Sequence, residues 1–199
     1  SKNLANIYAD DESIELPSTS HISIIDSHGN ALAMTTTIEN AFGSRLMTPG
    51  GFLLNNELTD FSFRTEKNGI PIANRVEPGK RPRSSMSPTI VLKDNKPILV
   101  IGSTGGSAII GFVVQSIIAY IDWDMGIKEA IDFPHLINRF GTFDIEDDPQ
   151  LDVLANQLKD IGFIVNRRAM NSGTHAIALG ETGLFGAADN RREGSVVGE

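Results

Sequence analysis

Apolar and polar positions alternate from His21 onward. His-Ile-Ser-Ile-Ile-Asp leads to the turn Ser-His-Gly-Asn and then to Ala-Leu-Ala-Met-Thr-Thr-Thr-Ile. Two period-two runs around a glycine turn predict a β-hairpin, with its tip between Asp26 and Asn30. In the second run the same period places Thr35 and Thr37 on one face and Thr36 on the other. A glycine-punctuated loop over 39–52 follows, then a short apolar run ending in polar groups, Phe-Leu-Leu-Asn-Asn-Glu-Leu-Thr-Asp-Phe. From Arg64 to Arg83 there is little periodicity, and Pro71, Pro78 and Pro82 fall in the stretch. It reads as a long surface loop, a kind that is usually functional or mobile. A second hairpin spans 87–103 and turns at Asp94-Asn95.

Helical patterns follow. Residues 104–126 open with Gly105-Gly106 and continue apolar on nearly every side, which predicts a buried helix. A short amphipathic helix over 126–134 stops at Pro134. Leu151, Leu154 and Leu158 repeat at helical spacing, with Gly162 as a stop. Residues 163–169, 174–180 and 183–189 read as closing strands. There is no internal repeat and no β–α–β alternation in this reading. Strands, then helices, then strands predict an α+β layered domain with a mostly antiparallel sheet.

Composition narrows the function. The chain has 199 residues, 40% hydrophobic and 21% charged, which is enough for one sizeable core. A net charge of -8, with only short basic runs such as 80–83 and 166–168, argues against nucleic acid. The absence of cysteine excludes disulfides and thiolate metal sites. His21, His28, His135 and His175 lack metal-binding spacing, so no metal is expected. The longest apolar run, 108–121, is too short to span a membrane. The opening 17 residues are polar and acidic and read as a linker; without an initiator Met the chain is expected to be part of a longer product. The glycine-rich Gly102–Ser107 stretch matches neither dinucleotide nor P-loop patterns. Ser18, Thr19 and Ser20 gather hydroxyls where the first strand begins, which in many chains is ordinary turn chemistry.

Four segments change that reading. They are Thr-Ser-His-Ile-Ser-Ile-Ile-Asp from Thr19, Gly-Phe-Leu-Leu-Asn-Asn-Glu-Leu-Thr-Asp-Phe-Ser from Gly51, Pro-Gly-Lys-Arg-Pro-Arg-Ser-Ser-Met-Ser-Pro-Thr from Pro78, and Gly-Ser-Thr-Gly-Gly-Ser from Gly102. In that order, and from Thr19 to the end, the sequence resembles the small catalytic subunit of the γ-glutamyltranspeptidases, members of the N-terminal-nucleophile hydrolases. The resemblance implies a four-layer αββα sandwich with antiparallel sheets, completed by a large subunit from the same precursor. Residues 1–18 would be precursor linker, the tail of that large subunit, and 19–199 the small subunit.

The implied chemistry is self-cleavage between Ser18 and Thr19. Thr19 then becomes an N-terminal nucleophile whose own α-amine serves as base. This suits a threonine, whose hydroxyl is a poor nucleophile without an adjacent base. Ser18 and Ser20 are its rivals on chemistry alone. The resemblance makes Thr37 the residue orienting the nucleophile, and Gly105 and Gly106 the oxyanion hole. It gives Glu39, Glu57 and Asp60 to the substrate α-ammonium, and Ser84 and Ser85 to its carboxylate. Each also has an ordinary explanation: strand propensity for Thr37, a tight turn for the glycines, solvated carboxylates and loop serines for the rest. The implied substrates are glutathione or other γ-glutamyl compounds, with water, an amino acid or a peptide as acceptor. No cofactor, metal, nucleic acid or membrane span is implied, and the location would be periplasmic or secreted.

The sequence departs from the family at several points. Glu39 stands where glutathione-cleaving members have asparagine, and Thr59 where many have aspartate. No tyrosine occurs between Phe61 and Arg83, and Ala108 stands where bacterial relatives often have arginine. Arg191 and Arg192 read as structural or interfacial. Two alternatives remain: an acylase of the same family, such as a glutaryl-cephalosporin type, and an unprocessed, non-catalytic precursor in which the Thr19 amine stays in a peptide bond.

Overall fold

The Asp94-Asn95 turn has both residues at positive φ, 51° and 61°. That is the twist a two-residue hairpin needs, and Asn and Asp tolerate it best among non-glycine residues. In the computed structural model, which describes residues 7–9, 18–139 and 142–198, this turn joins two of eleven strands among the described residues. In chain order the strands are β1 (Ser20–Ile25), β2 (Ala31–Thr36), β3 (Glu66–Lys67), β4 (Ile70–Pro71), β5 (Thr89–Lys93), β6 (Lys96–Gly102), β7 (Leu136–Arg139), β8 (Thr142–Glu146), β9 (Ile164–Arg168), β10 (His175–Gly180) and β11 (Gly183–Ala188). The helices are α1 (Ile109–Ile121), α2 (Ile127–Asp132) and α3 (Asp152–Asp160). Most of the expected linker lies outside the described residues. Among those described, no helix is long and apolar enough to cross a membrane.

The chain divides into two units, residues 1–19 with 37–85, and residues 20–36 with 86–199. The second unit holds an antiparallel sheet in the order β11-β10-β6-β5. Strand alternation sends Leu99, Ile101, Ala176, Ala178 and Ala187 to one face, where Ile109 and Val113 of α1 and Ile127 and Ile131 of α2 cover them. The alanines let the helices sit close to the sheet. The β1–β2 hairpin packs on the other face. There His21 lies flat on Gly102, and Ser23 Oγ reaches the carbonyls of Val100 (3.4 Å) and His175 (3.3 Å). The layers are thus helix, sheet and hairpin. Asp26 secures the hairpin tip by accepting the amides of His28 (2.9 Å) and Asn30 (2.8 Å).

Three expectations need correction. Helix α1 is not buried all round: Phe112 and Ala119 are fully covered, but Ile110 is 51% exposed and Val114 48%. Its apolar residues run all round, while this chain supplies neighbours on one side only. Residues 136–139 and 142–146, unassigned from sequence, form β7 and β8, and β8 pairs in parallel with β9. Helix α3 makes that connection, so a β–α–β unit is present after all. It was missed because β8 was.

In the first unit, the stretch expected to be a long surface loop is tied down at several points. Its members β3 and β4 pair, Ile72 is 1% exposed, and Phe61 beside it is 4% exposed. The Ser62 amide donates to the Asn74 carbonyl (3.0 Å) and the Ile72 amide to the Thr65 carbonyl (2.9 Å). Lone apolar residues among prolines anchor it without any periodic signal.

Candidate active site

The first unit brings together most of the residues singled out in the sequence. Thr19 is half-buried immediately ahead of β1. Thr37 stands one residue past the end of β2. The pairing His21–Thr35 and Ser20–Thr36 ends the ladder there, so the period-two argument does not reach Thr37. Its hydroxyl accepts the Glu39 amide at 3.0 Å. Thr35, the residue expected on the same face, instead lies 2.8 Å from His21 Nδ1.

Glu39 is the centre of this unit. It is 9% exposed and has φ of 71°, a left-handed conformation that non-glycine residues adopt rarely. Three contacts hold it there. The Ser18 hydroxyl donates to its carbonyl, the Asn56 side-chain amide donates to its carboxylate, and Thr37 accepts its N–H. Asn56 was not identified from sequence. Its Oδ1 accepts the Asn40 amide (3.0 Å), its backbone N–H donates to the Ile38 carbonyl (3.2 Å), and its Nδ2 also reaches Thr59 Oγ1 (3.0 Å). The available signal was its place in Asn-Asn-Glu-Leu-Thr-Asp, where a short-range polar residue precedes a turn of helix.

That turn, Glu57–Asp60, is a single 3₁₀ turn. Burial first, then the charge of Asp60 and a side-chain hydrogen bond with it, and last the charge of Glu39, raise the Glu57 carboxyl above its ordinary range. Glu57 Oε1 is buried without a hydrogen-bond partner. The Asp60 carbonyl accepts from Asn74 Nδ2 at 2.6 Å, and Asn74 Oδ1 accepts the Arg83 amide at 3.0 Å. Asn74 therefore ties the turn to the segment carrying Ser84, which is exposed, and Ser85, which is half-buried.

Gly105 and Gly106 belong to the second unit. Their φ values are 127° and 61°, and a Cβ on Gly105 would lie 2.5 Å from the Phe112 ring. Only glycine serves at Gly105. The pair leads through a 3₁₀ turn, Gly106–Ala108, into α1. Amides there have no intrahelical acceptor and carry the positive end of the helix dipole. Ala108 is 6% exposed and packs with Phe112, Ile137 and Met170, which leaves little space for a longer side chain.

Arg191 has the structural part expected of it. It makes two 2.7 Å contacts to Glu146, contacts Asp189 at 3.1 Å, and donates to the carbonyls of Ile131, Asp132 and Phe133. Among the described residues, no cluster of three His, Asp or Glu could hold a metal ion.

Compared with known proteins, the sequence matches the family described as gamma-glutamyltranspeptidase over residues 2–199. The chain belongs to that family. It is 41% identical over 186 residues to the glutathione hydrolase proenzyme of Bacillus subtilis strain 168, covering 90% of this chain and 30% of that protein. A γ-glutamyltranspeptidase mutant of Helicobacter pylori aligns at a TM-score of 0.75 with 38% identity, covering 86% of this chain and 99% of that one. The γ-glutamyltranspeptidase of Pseudomonas nitroreducens complexed with L-DON aligns at 0.77 with 32% identity, covering 90% and 98%. The fold is accordingly that of the N-terminal-nucleophile hydrolases, mixed α and β with antiparallel sheets. The chain spans 30% of the length of the Bacillus relative.

Proposed function

We propose that the chain is the nucleophile-bearing part of a γ-glutamyl hydrolase or transferase, activated by self-cleavage before Thr19 and completed by a large subunit from the same precursor. Substrates would be glutathione and other γ-glutamyl compounds, and an exported location belongs to the same reading. The observation that carries it is Glu57 Oε1, buried without a hydrogen-bond partner in a carboxyl group that feels the nearby charges of Asp60 and Glu39. A buried carboxylate oxygen without a donor is costly, and a cation that brings N–H groups to it relieves that cost. The α-ammonium of a γ-glutamyl group is such a cation. A glutaryl side chain has no ammonium and would add another carboxylate to the cluster, so the acylase alternative is disfavoured.

In this reading the Thr19 hydroxyl attacks the γ-carbonyl and its proton passes to the freed α-amine. The Gly105 and Gly106 amides donate to the oxyanion. The amine leaving group departs with that proton, giving a γ-glutamyl ester on Thr19. Water or an amino acid then attacks the ester and regenerates the hydroxyl. Glu39 binds ammonium as an ion pair, and Thr37, by holding the Glu39 amide, supports both the binding residue and the segment beside the nucleophile.

The test is intact mass and N-terminal sequencing of the full-length precursor, together with turnover of γ-glutamyl-p-nitroanilide. A new chain beginning at Thr19, lost with turnover in Thr19→Ala, is the expected result. Normal processing of Thr19→Ala would remove Thr19 as nucleophile, and an intact, inactive wild-type chain would favour the non-catalytic precursor.

A further inference from the structure

Behind the Gly105-Gly106 turn lies a buried polar array that no step above uses. Ser172 is fully buried, and its hydroxyl donates to Asp189 Oδ2 at 2.5 Å. With that proton committed, Ser172 Oγ accepts from His135 Nε2 at 2.7 Å, which places a proton on Nε2. Asp189 also accepts the Thr174 amide (3.3 Å) and is paired with Arg191. Ser103, Ser172, Thr174 and His135 are each 0% exposed, and Asp189 is 2% exposed.

Two routes run from Ser172 to the glycine turn. The first is through its own chain. The next residue, Gly173, donates its amide to Ser103 Oγ (3.4 Å) and accepts the Thr104 amide at its carbonyl (3.4 Å), while Thr174 Oγ1 donates to Ser103 Oγ (3.0 Å). The fit is close: a Cβ on Gly173 would be 2.6 Å from Thr104 Oγ1. Residues 103 and 104, which deliver Gly105, are thus clamped by the segment after Ser172. The second route is through His135. Its ring packs on Phe112 with centroids 4.3 Å apart, and Phe112 is the surface on which Gly105 sits. His135 Nδ1 and Thr104 Oγ1 are buried without a hydrogen-bond partner; the bonds made among the other groups are costly to break in a buried place and favour one geometry. An array converging from two sides on one turn is suited to hold backbone donors in place.

We propose that Ser172 is a positioning residue for acyl transfer, setting the Gly105-Gly106 amides through Gly173–Thr174 on one side and through His135–Phe112 on the other. This rests on the oxyanion role given to those glycines. It differs from a purely structural role because misplaced donors slow chemistry without weakening substrate binding.

The experiment uses the full-length, self-processed protein and γ-glutamyl-p-nitroanilide, with rates expressed per free Thr19 chain. Ser172→Ala is expected to lower kcat about 10- to 100-fold while KM stays within about twofold. Thr174→Val keeps the shape, removes only the hydroxyl, and should lower kcat in the same way if Ser172→Ala folds poorly. Combining Ser103→Ala with Ser172→Ala should cost no more than the worse single change, because the array acts as a unit. A Thr174→Val protein with kcat within about twofold of wild type overturns the proposal, as does a loss carried by KM. A wild-type protein that fails to turn over the substrate removes the functional reading and this inference with it. An active wild type with unaffected variants removes the inference alone.

Discussion

Replacing Gly102 with alanine is expected to unseat His21, two residues from the proposed nucleophile. The new Cβ would lie 2.2 Å from His21 Cε1 and 2.3 Å from Nδ1, well inside van der Waals contact. The ring has little room to retreat, since His21 is 5% exposed. It is also held at both nitrogens, Nδ1 by Thr35 Oγ1 at 2.8 Å and Nε2 by Ser23 Oγ at 3.1 Å. Losing two such bonds costs about 1 kcal/mol each. Overpacking adds about 1–3 kcal/mol, for a total of about 3–5 kcal/mol. For a domain of this size that corresponds to a fall in Tm of about 6–20 °C. Scanning calorimetry of the processed protein reads it directly. Gly126→Ala is the control, since its Cβ would meet nothing and its φ is -58°. The clash also predicts non-additivity: with His21→Ala already present, Gly102→Ala should cost almost nothing further. A Gly102→Ala protein melting within about 2 °C of wild type would refute the reasoning, because no packed ring could then occupy that place.

Asp60→Asn should raise KM for γ-glutamyl substrate by about tenfold through loss of an ion pair to the ammonium; an unchanged KM sinks that assignment. Glu57→Gln should also weaken binding, yet raise Tm near neutral pH, because it removes a carboxylate that burial and Asp60 disfavour in its charged form. Since the Glu57 pKa is raised in the folded protein, that gain should shrink as pH falls and the wild-type group protonates, which a Tm series against pH will show. His21 and His135 are lowered from 6.5 to about 4, His21 by burial and then the neighbouring His175, His135 by burial and then Arg191. Both are therefore neutral when folded. The stability they supply is complete above pH 6.5 and is lost as pH falls toward 4, by up to about 1.4 kcal/mol per pH unit for each. Urea unfolding followed across that range tests it, and flat stability would refute it.

The sequence by itself determined what local chemistry controls. Alternation around Asp26–Asn30 and around Asp94-Asn95 predicted both hairpins, because turn residues and a two-residue period act within a few positions. Pro134 and Gly162 ended helices for the same reason. The order of the four motifs was enough to name the family. Only the tertiary structure decided the rest. Thr37 falls past the ladder because register is set by pairing with β1, not by counting along β2. Asn56 matters because folding brings it to Glu39, 17 positions earlier. Helix α1 keeps an open side because amphipathicity records composition, not which neighbours are present. The bond between Thr174 and Ser103 spans 71 positions, and the seat of His21 on Gly102 spans a similar stretch of chain. No periodicity encodes such contacts, since they exist only once sheet, hairpin and helices have been packed together.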